Sequence, residues 1–117
     1  MGDERIDLVP GTLDMLILRA LVPGKLHGYA VARRLQMQSD DFLRVEEGTL
    51  YPALHRIERR GWIKSSWGKS EANRRAKFYA VTAPGRRQLK ERVSAWRRMV
   101  SAIDAVLEAS PDSETAR

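Results

Sequence analysis

The sequence predicts a mainly helical α+β fold, with one small β-hairpin and a long final helix, and three observations predict it. Apolar residues recur at the three-and-four spacing of a helix in four separate stretches. The period changes to alternation in only one region, between Trp62 and Thr82. After that region Leu89, Val93, Trp96, Val100, Ile103 and Leu107 follow at steps of 4, 3, 4, 3 and 4, an a/d seam on one helix.

Residues 1–11, MGDERIDLVPG, form a polar, acidic arm without the positive start and apolar core of a signal peptide, so a cytoplasmic location is expected. Leu8 and Val9 are expected to dock on the domain. Thr12 is the expected N-cap of the first helix, and Asp14 suits its first turn. Leu13, Leu16, Ile17, Ala20 and Leu21 make its apolar stripe, and Pro23 and Gly24 stop it. A second helix runs from about His27 to Gln38, with Ala30, Val31 and Leu35 inward, Arg33 and Arg34 outward, and the small Gly28 and Ala32 suggesting close helix contact. Ser39, Asp40 and Asp41 break it, and Phe42 and Val45 hold the link onward.

In the third helix, within Glu46 to Gly61, Leu50, Ala53, Leu54 and Ile57 form the dry face. Tyr51, His55, Arg56 and Arg59 form the other. Thr49 is the expected N-cap, Pro52 falls in the first turn where its missing N–H costs little, and Gly61 closes the C-terminus. Between His55 and Lys77 stand eight basic and two acidic residues, whereas the rest of the chain balances at 13 of each. The formal charge of +6 therefore belongs to one contiguous fifth of the sequence, the footprint of a surface that binds a polyanion. A solvated charge run is the plainer alternative.

Trp62–Trp67 and Ala76–Thr82 read as strands joined by the polar loop Gly68–Arg75, a hairpin with a basic tip. Trp62 and Trp67 are read as its packing residues. Three short helices followed by a hairpin is the order of a winged helix-turn-helix. The last helix is expected from Thr82, its N-cap, with Pro84 in the first turn, to about Ala109. Its seam is longer than a small domain covers, which implies a twofold dimer. The expected division is an arm over 1–11, a DNA-binding domain over 12–82, a dimerisation helix over 83–110 and a disordered tail over 111–117.

At 117 residues, with 43% hydrophobic and 31% charged, the chain is a globular protein of one domain plus an appended element. No apolar run is long enough to cross a bilayer. Absent cysteine excludes disulfides and thiolate metal sites. His27 and His55, the only histidines, lack the carboxylates of a metal site, and His27 is read as structural. Glu46 and Glu47 favour a helix N-terminus; no nucleophile or phosphate loop accompanies them to suggest an enzyme, and no cofactor is implied.

At EEGTLYPALHRIERRGWI the sequence resembles the PadR family of bacterial transcriptional regulators, and PGTLDMLILRAL, LHGYAVARRL, WGKSEANRRAKFYAVTAPGRRQL and the single closing helix extend the likeness to the short PadR-like subgroup. The resemblance implies a homodimeric repressor on pseudo-palindromic double-stranded DNA, dimerised through the last helix with help from the first. It makes Thr49, Tyr51, Pro52 and Arg56 groove-facing, and Arg74, Arg75 and Lys77 wing residues near phosphates. With His55, Arg59 and Lys64 from the basic stretch, these are the candidate DNA contacts. Tyr51 is expected at a phosphate or base edge, with packing beside the helix as the alternative. Small aromatic or drug-like effectors are also implied, without a fixed site. Trp96, mid-seam, is either a dimer-core aromatic or the platform of an effector pocket. The rival reading is a winged helix used as a protein-interaction module.

Overall fold

The structure, a computed structural model, describes residues 11–111; the expected arm before Gly11 and tail after Pro111 lie outside the described residues. The elements are α1 (Thr12–Ala20), β1 (Leu26–His27), α2 (Gly28–Gln38), α3 (Glu47–Arg59), β2 (Ile63–Lys69), β3 (Arg75–Val81) and α4 (Ala83–Leu107). The fold is α+β as expected, but the sheet has three antiparallel strands in the order β1-β3-β2 rather than a bare hairpin. Leu26 and His27 pair with Tyr79 and Phe78. Two residues are too few to show a period in sequence, so this strand was not legible there.

Helix α1 begins a residue earlier than expected. The cap is Gly11 with φ of 90°, whose carbonyl accepts from the Met15 N–H, so Thr12 is already helical. Helix α2 is capped by His27, whose Nδ1 accepts from the Ala30 N–H at 3.2 Å, a structural role for that histidine. At the far end Asp40 and Asp41 both take positive φ, 58° and 70°, and turn the chain toward α3.

The expected capping of α3 by Thr49 is corrected. Glu46 is extended and its carbonyl accepts from both Thr49 and Leu50, so the helix opens at Glu47. Pro52 therefore lies inside the helix, where it forfeits the bond a donor there would make to the Gly48 carbonyl. Gly61, with φ of 79°, ends α3 in a Schellman motif: its N–H donates to the Glu58 carbonyl and the Trp62 N–H donates to that of Ile57. Trp62 is thus spent on closing the helix, and β2 starts at Ile63. Pairing runs on to Lys69↔Arg75, so the connection to β3 is shorter than expected, residues 70–74. Thr82 caps α4 as expected, its Oγ1 accepting from the Gly85 N–H at 3.1 Å.

One core gathers every layer: Ile17, Leu18 and Leu21 after and within α1, Val31 and Leu35 from α2, Leu50, Leu54 and Ile57 from α3, Ile63 and Tyr79 from the sheet, and Leu89 from α4. Each such aliphatic side chain contributes about 1.5–3 kcal/mol on leaving water. The last turn of α1 is tied to α2 where Arg34 Nη1 donates to the Ala20 carbonyl at 3.0 Å.

Candidate nucleic-acid interface

Successive helical side chains are about 100° apart, so Pro52, His55 and Arg59 project opposite Leu50, Leu54 and Ile57. All three are exposed, as is Thr49. They form the open face of α3. Arg56 and Tyr51 stand on its two flanks and are engaged with the fold.

Arg56 is turned toward α1. Its Nη2 donates to Asp14 Oδ1 at 2.5 Å and its Nε to Oδ2 at 3.5 Å; the aspartate side chain is 4% exposed and the arginine 40%. Asp14 lies in the first turn of α1, where the helix dipole also favours its charge. Tyr51 is turned the other way, toward α2. A Cβ on Gly28 would lie 2.7–2.9 Å from the Tyr51 hydroxyl and ring, so any larger residue there would push this ring aside. Burial, with Glu47 adding to it, raises the Tyr51 phenol above its ordinary range.

The wing is β2 and β3 in register from Ile63↔Val81 to Lys69↔Arg75. Ile63 and Tyr79 mark its core-facing side, and by alternation Ser65, Trp67, Lys69, Arg75 and Lys77 share that side. Glu58 of α3 fastens there, accepting from Ser65 Oγ at 2.5 Å and standing 3.8 Å from Lys77 Nζ. The side of the wing that continues outward beyond the core is therefore the side on which α3 lies. Lys64 is exposed on the opposite side, and Arg74 and Arg75 are exposed at the tip. Lys77 is half-buried beside Tyr79.

Trp62 packs against the core, as expected, and carries the guanidinium groups of Arg60 and Arg92 at 5.1 and 4.9 Å from its ring centre. Trp67 does not pack: it is 60% exposed, and Arg75 lies over its ring at 4.5 Å. The wing overhangs the domain at this point. The register makes the reason plain: its cross-strand partner is Lys77, which is no companion for a buried indole. Arg60 and Lys69, counted in the basic run but not among the candidate contacts, are likewise exposed.

Along α4 the seam divides. Leu89 is buried and Val93 packs on the core, whereas exposure is 43% at Trp96, 36% at Val100, 49% at Ile103 and 75% at Leu107. Met99 and Val106 widen this uncovered row. A shallow depression of about 730 Å³ on α4 is lined by Val93 with Lys90, Ser94, Arg97, Arg98 and Ser101, and Trp96 is not among them. Among the described residues no helix is long and apolar enough to cross a membrane.

Comparison with known proteins joins this geometry to relatives. Residues 17–91 match the model of a family described as the transcriptional regulator PadR-like family. Among solved structures, a transcriptional regulator from Clostridium thermocellum is 31% identical with a TM-score of 0.73, covering 80% of this chain and 91% of its own. A PadR family regulator from Eggerthella lenta is 32% identical with a TM-score of 0.73, covering 86% and 85%. An uncharacterized protein of Lysinibacillus sphaericus is 28% identical over 89% of this chain and 95% of its own.

Proposed function

The chain belongs to the PadR-like family of transcriptional regulators, and from that premise we propose that it is a repressor that binds a pseudo-palindromic operator as a homodimer and occludes a promoter. The observation that carries this reading is the shared side of α3 and wing: exposed His55 and Arg59 on the helix, Lys69 and Arg75 on the adjoining strands, within the segment that holds the chain's whole charge excess. A helix with an open basic face suits the major groove, and a basic hairpin beside it suits the neighbouring backbone. A winged helix serving only protein partners leaves that concentration of charge without a role.

In this reading residues 12–82 are the DNA-binding domain and 83–110 the dimerisation element. Thr49, Pro52, His55 and Arg59 face the groove; the wing brings Arg74, Arg75 and Lys77 to the neighbouring DNA, with Lys64 on its far side; Tyr51 and Arg56 hold α3 in place from its flanks. The uncovered row from Trp96 to Leu107 is the dimer contact, because exposed apolar patches of this kind mark association surfaces. An aromatic effector docking at Trp96 would act by preferring one angle between the two domains over another.

Selection from a pool of random duplexes at physiological salt tests the central claim. The expected product is an inverted repeat with half-sites about 10–10.5 base pairs, or a multiple, apart. A pool from which no sequence is enriched refutes it.

A further inference from the structure

Trp67 is 60% exposed on a face of the wing whose outer part is otherwise lined by the cations Lys69, Arg75 and Lys77 from both strands. Trp67 is not covered by the core. What it does carry is the Arg75 guanidinium, whose central carbon lies over the ring 4.5 Å from its centre. Arginine stacks on aromatic faces while keeping its donors at the edge, so the indole fixes the plane and reach of a cation that would otherwise sample many rotamers. The pair stands where the wing overhangs the domain, on the side shared with α3, with Arg74 exposed nearby. An apolar ring set among cations fits a partner that offers both negative charge and apolar walls. The sugar-lined minor groove offers both.

We propose that Trp67 seats against the deoxyribose wall of the minor groove flanking each half-site and holds Arg75 inside that groove, so that the wing selects narrow, A·T-rich flanks. This rests on the DNA-binding reading above and adds to it a second source of sequence preference, one that reads shape. Narrow minor grooves concentrate negative potential and attract arginine, whereas the guanine amino group widens and obstructs them. Trp67 is a positioning residue in this scheme and Arg75 the reader.

The experiment measures affinity for duplexes that keep the selected core site and vary only its flanks: A·T, G·C, or inosine·cytosine, which removes the minor-groove amino group from a G·C pair. Wild-type protein is expected to prefer A·T over G·C flanks by about fivefold or more, the lower end of discrimination at a single base pair, with inosine·cytosine flanks bound like A·T. Trp67→Ala and Arg75→Lys should lose that preference while still distinguishing the core site from scrambled DNA, and Trp67→Phe should keep most of it. Unchanged melting temperature in Trp67→Ala confirms that the exposed ring serves no structural end. The proposal is overturned if wild type has no flank preference, if Trp67→Ala retains it, if Trp67→Ala weakens all duplexes equally, or if inosine·cytosine behaves like G·C. Failure to bind any duplex overturns the DNA reading itself and this proposal with it.

Discussion

Replacing Arg56 with Met removes the cation from a carboxylate that has almost no access to water. Asp14 is 4% exposed and the Arg56 guanidinium supplies the bonds to both of its oxygens. Breaking a fully buried pair by deleting one partner costs about 3–5 kcal/mol. Arg56 itself is 40% exposed, so water enters where it is cut away, and screening brings the expected cost to about 2–3 kcal/mol. At about 4–8 °C per kcal/mol for a domain of this size, the melting temperature should fall by roughly 10–20 °C. Asp14→Asn should be milder, about 1 kcal/mol, because the freed guanidinium turns to solvent and the amide still accepts one bond. The double variant should cost less than the sum, by about 1–2 kcal/mol. Thermal and urea denaturation at one fixed protein concentration measure all four corners of the cycle. If Arg56→Met proves no more costly than Asp14→Asn, the buried carboxylate does not depend on that arginine and the account of α3's anchorage is wrong.

Val100→Glu places a charge in the middle of the uncovered row on α4, and light scattering should find the variant monomeric at micromolar concentration; a persistent dimer refutes that interface. Arg74→Ala should lower the slope of log affinity against log salt by about 1.8 for a dimer losing two phosphate contacts, equally on all sequences, whereas Arg59→Ala should narrow the gap between operator and random DNA by about 1–3 kcal/mol per half-site. Burial raises the phenols of Tyr51 and Tyr79 above the ordinary value of 10.0, with Glu47 adding at the first and Glu58 at the second. Acids whose folded pKa is raised give stability that is complete below their unfolded pKa and lost as pH rises past it, so urea midpoints should hold to about pH 10 and fall beyond it. A midpoint flat across that range would contradict the burial of these rings.

The four helices were legible because each carries an apolar stripe that writes its period into the sequence: Leu50, Ala53, Leu54 and Ile57 mark α3 and all four are buried, whereas the stripe of α4 shows the same period although it is uncovered from Trp96 onward. Element ends were less legible. Thr49 has the chemistry of a cap, but the chain turns at Glu46 and Thr49 falls inside the helix. Charge composition located the basic segment without saying which cations are already occupied. Arg56 and Arg59 look alike in sequence; one meets an aspartate 42 positions away and the other meets solvent, a difference that only tertiary contact decides. Trp67 reads as a packing residue in sequence and is exposed in the fold for a related reason, since the end of the core cannot be read from a strand that continues past it.

The joint between α3 and α4 has a mechanical consequence. Thr82 Oγ1 donates to the Gly61 carbonyl at 2.6 Å, the Thr82 N–H donates to the Trp62 carbonyl at 3.0 Å, and a side chain on Gly85 would strike that same carbonyl at 2.0 Å. The root of the long helix is thereby clamped to the corner that ends α3, with no slack for a pivot. Its 25 residues then act as a lever of roughly 37 Å at about 1.5 Å per residue. A rotation of about 5° of this helix about its root displaces the far end by on the order of 3 Å, and the clamp is the path that links such a rotation to α3.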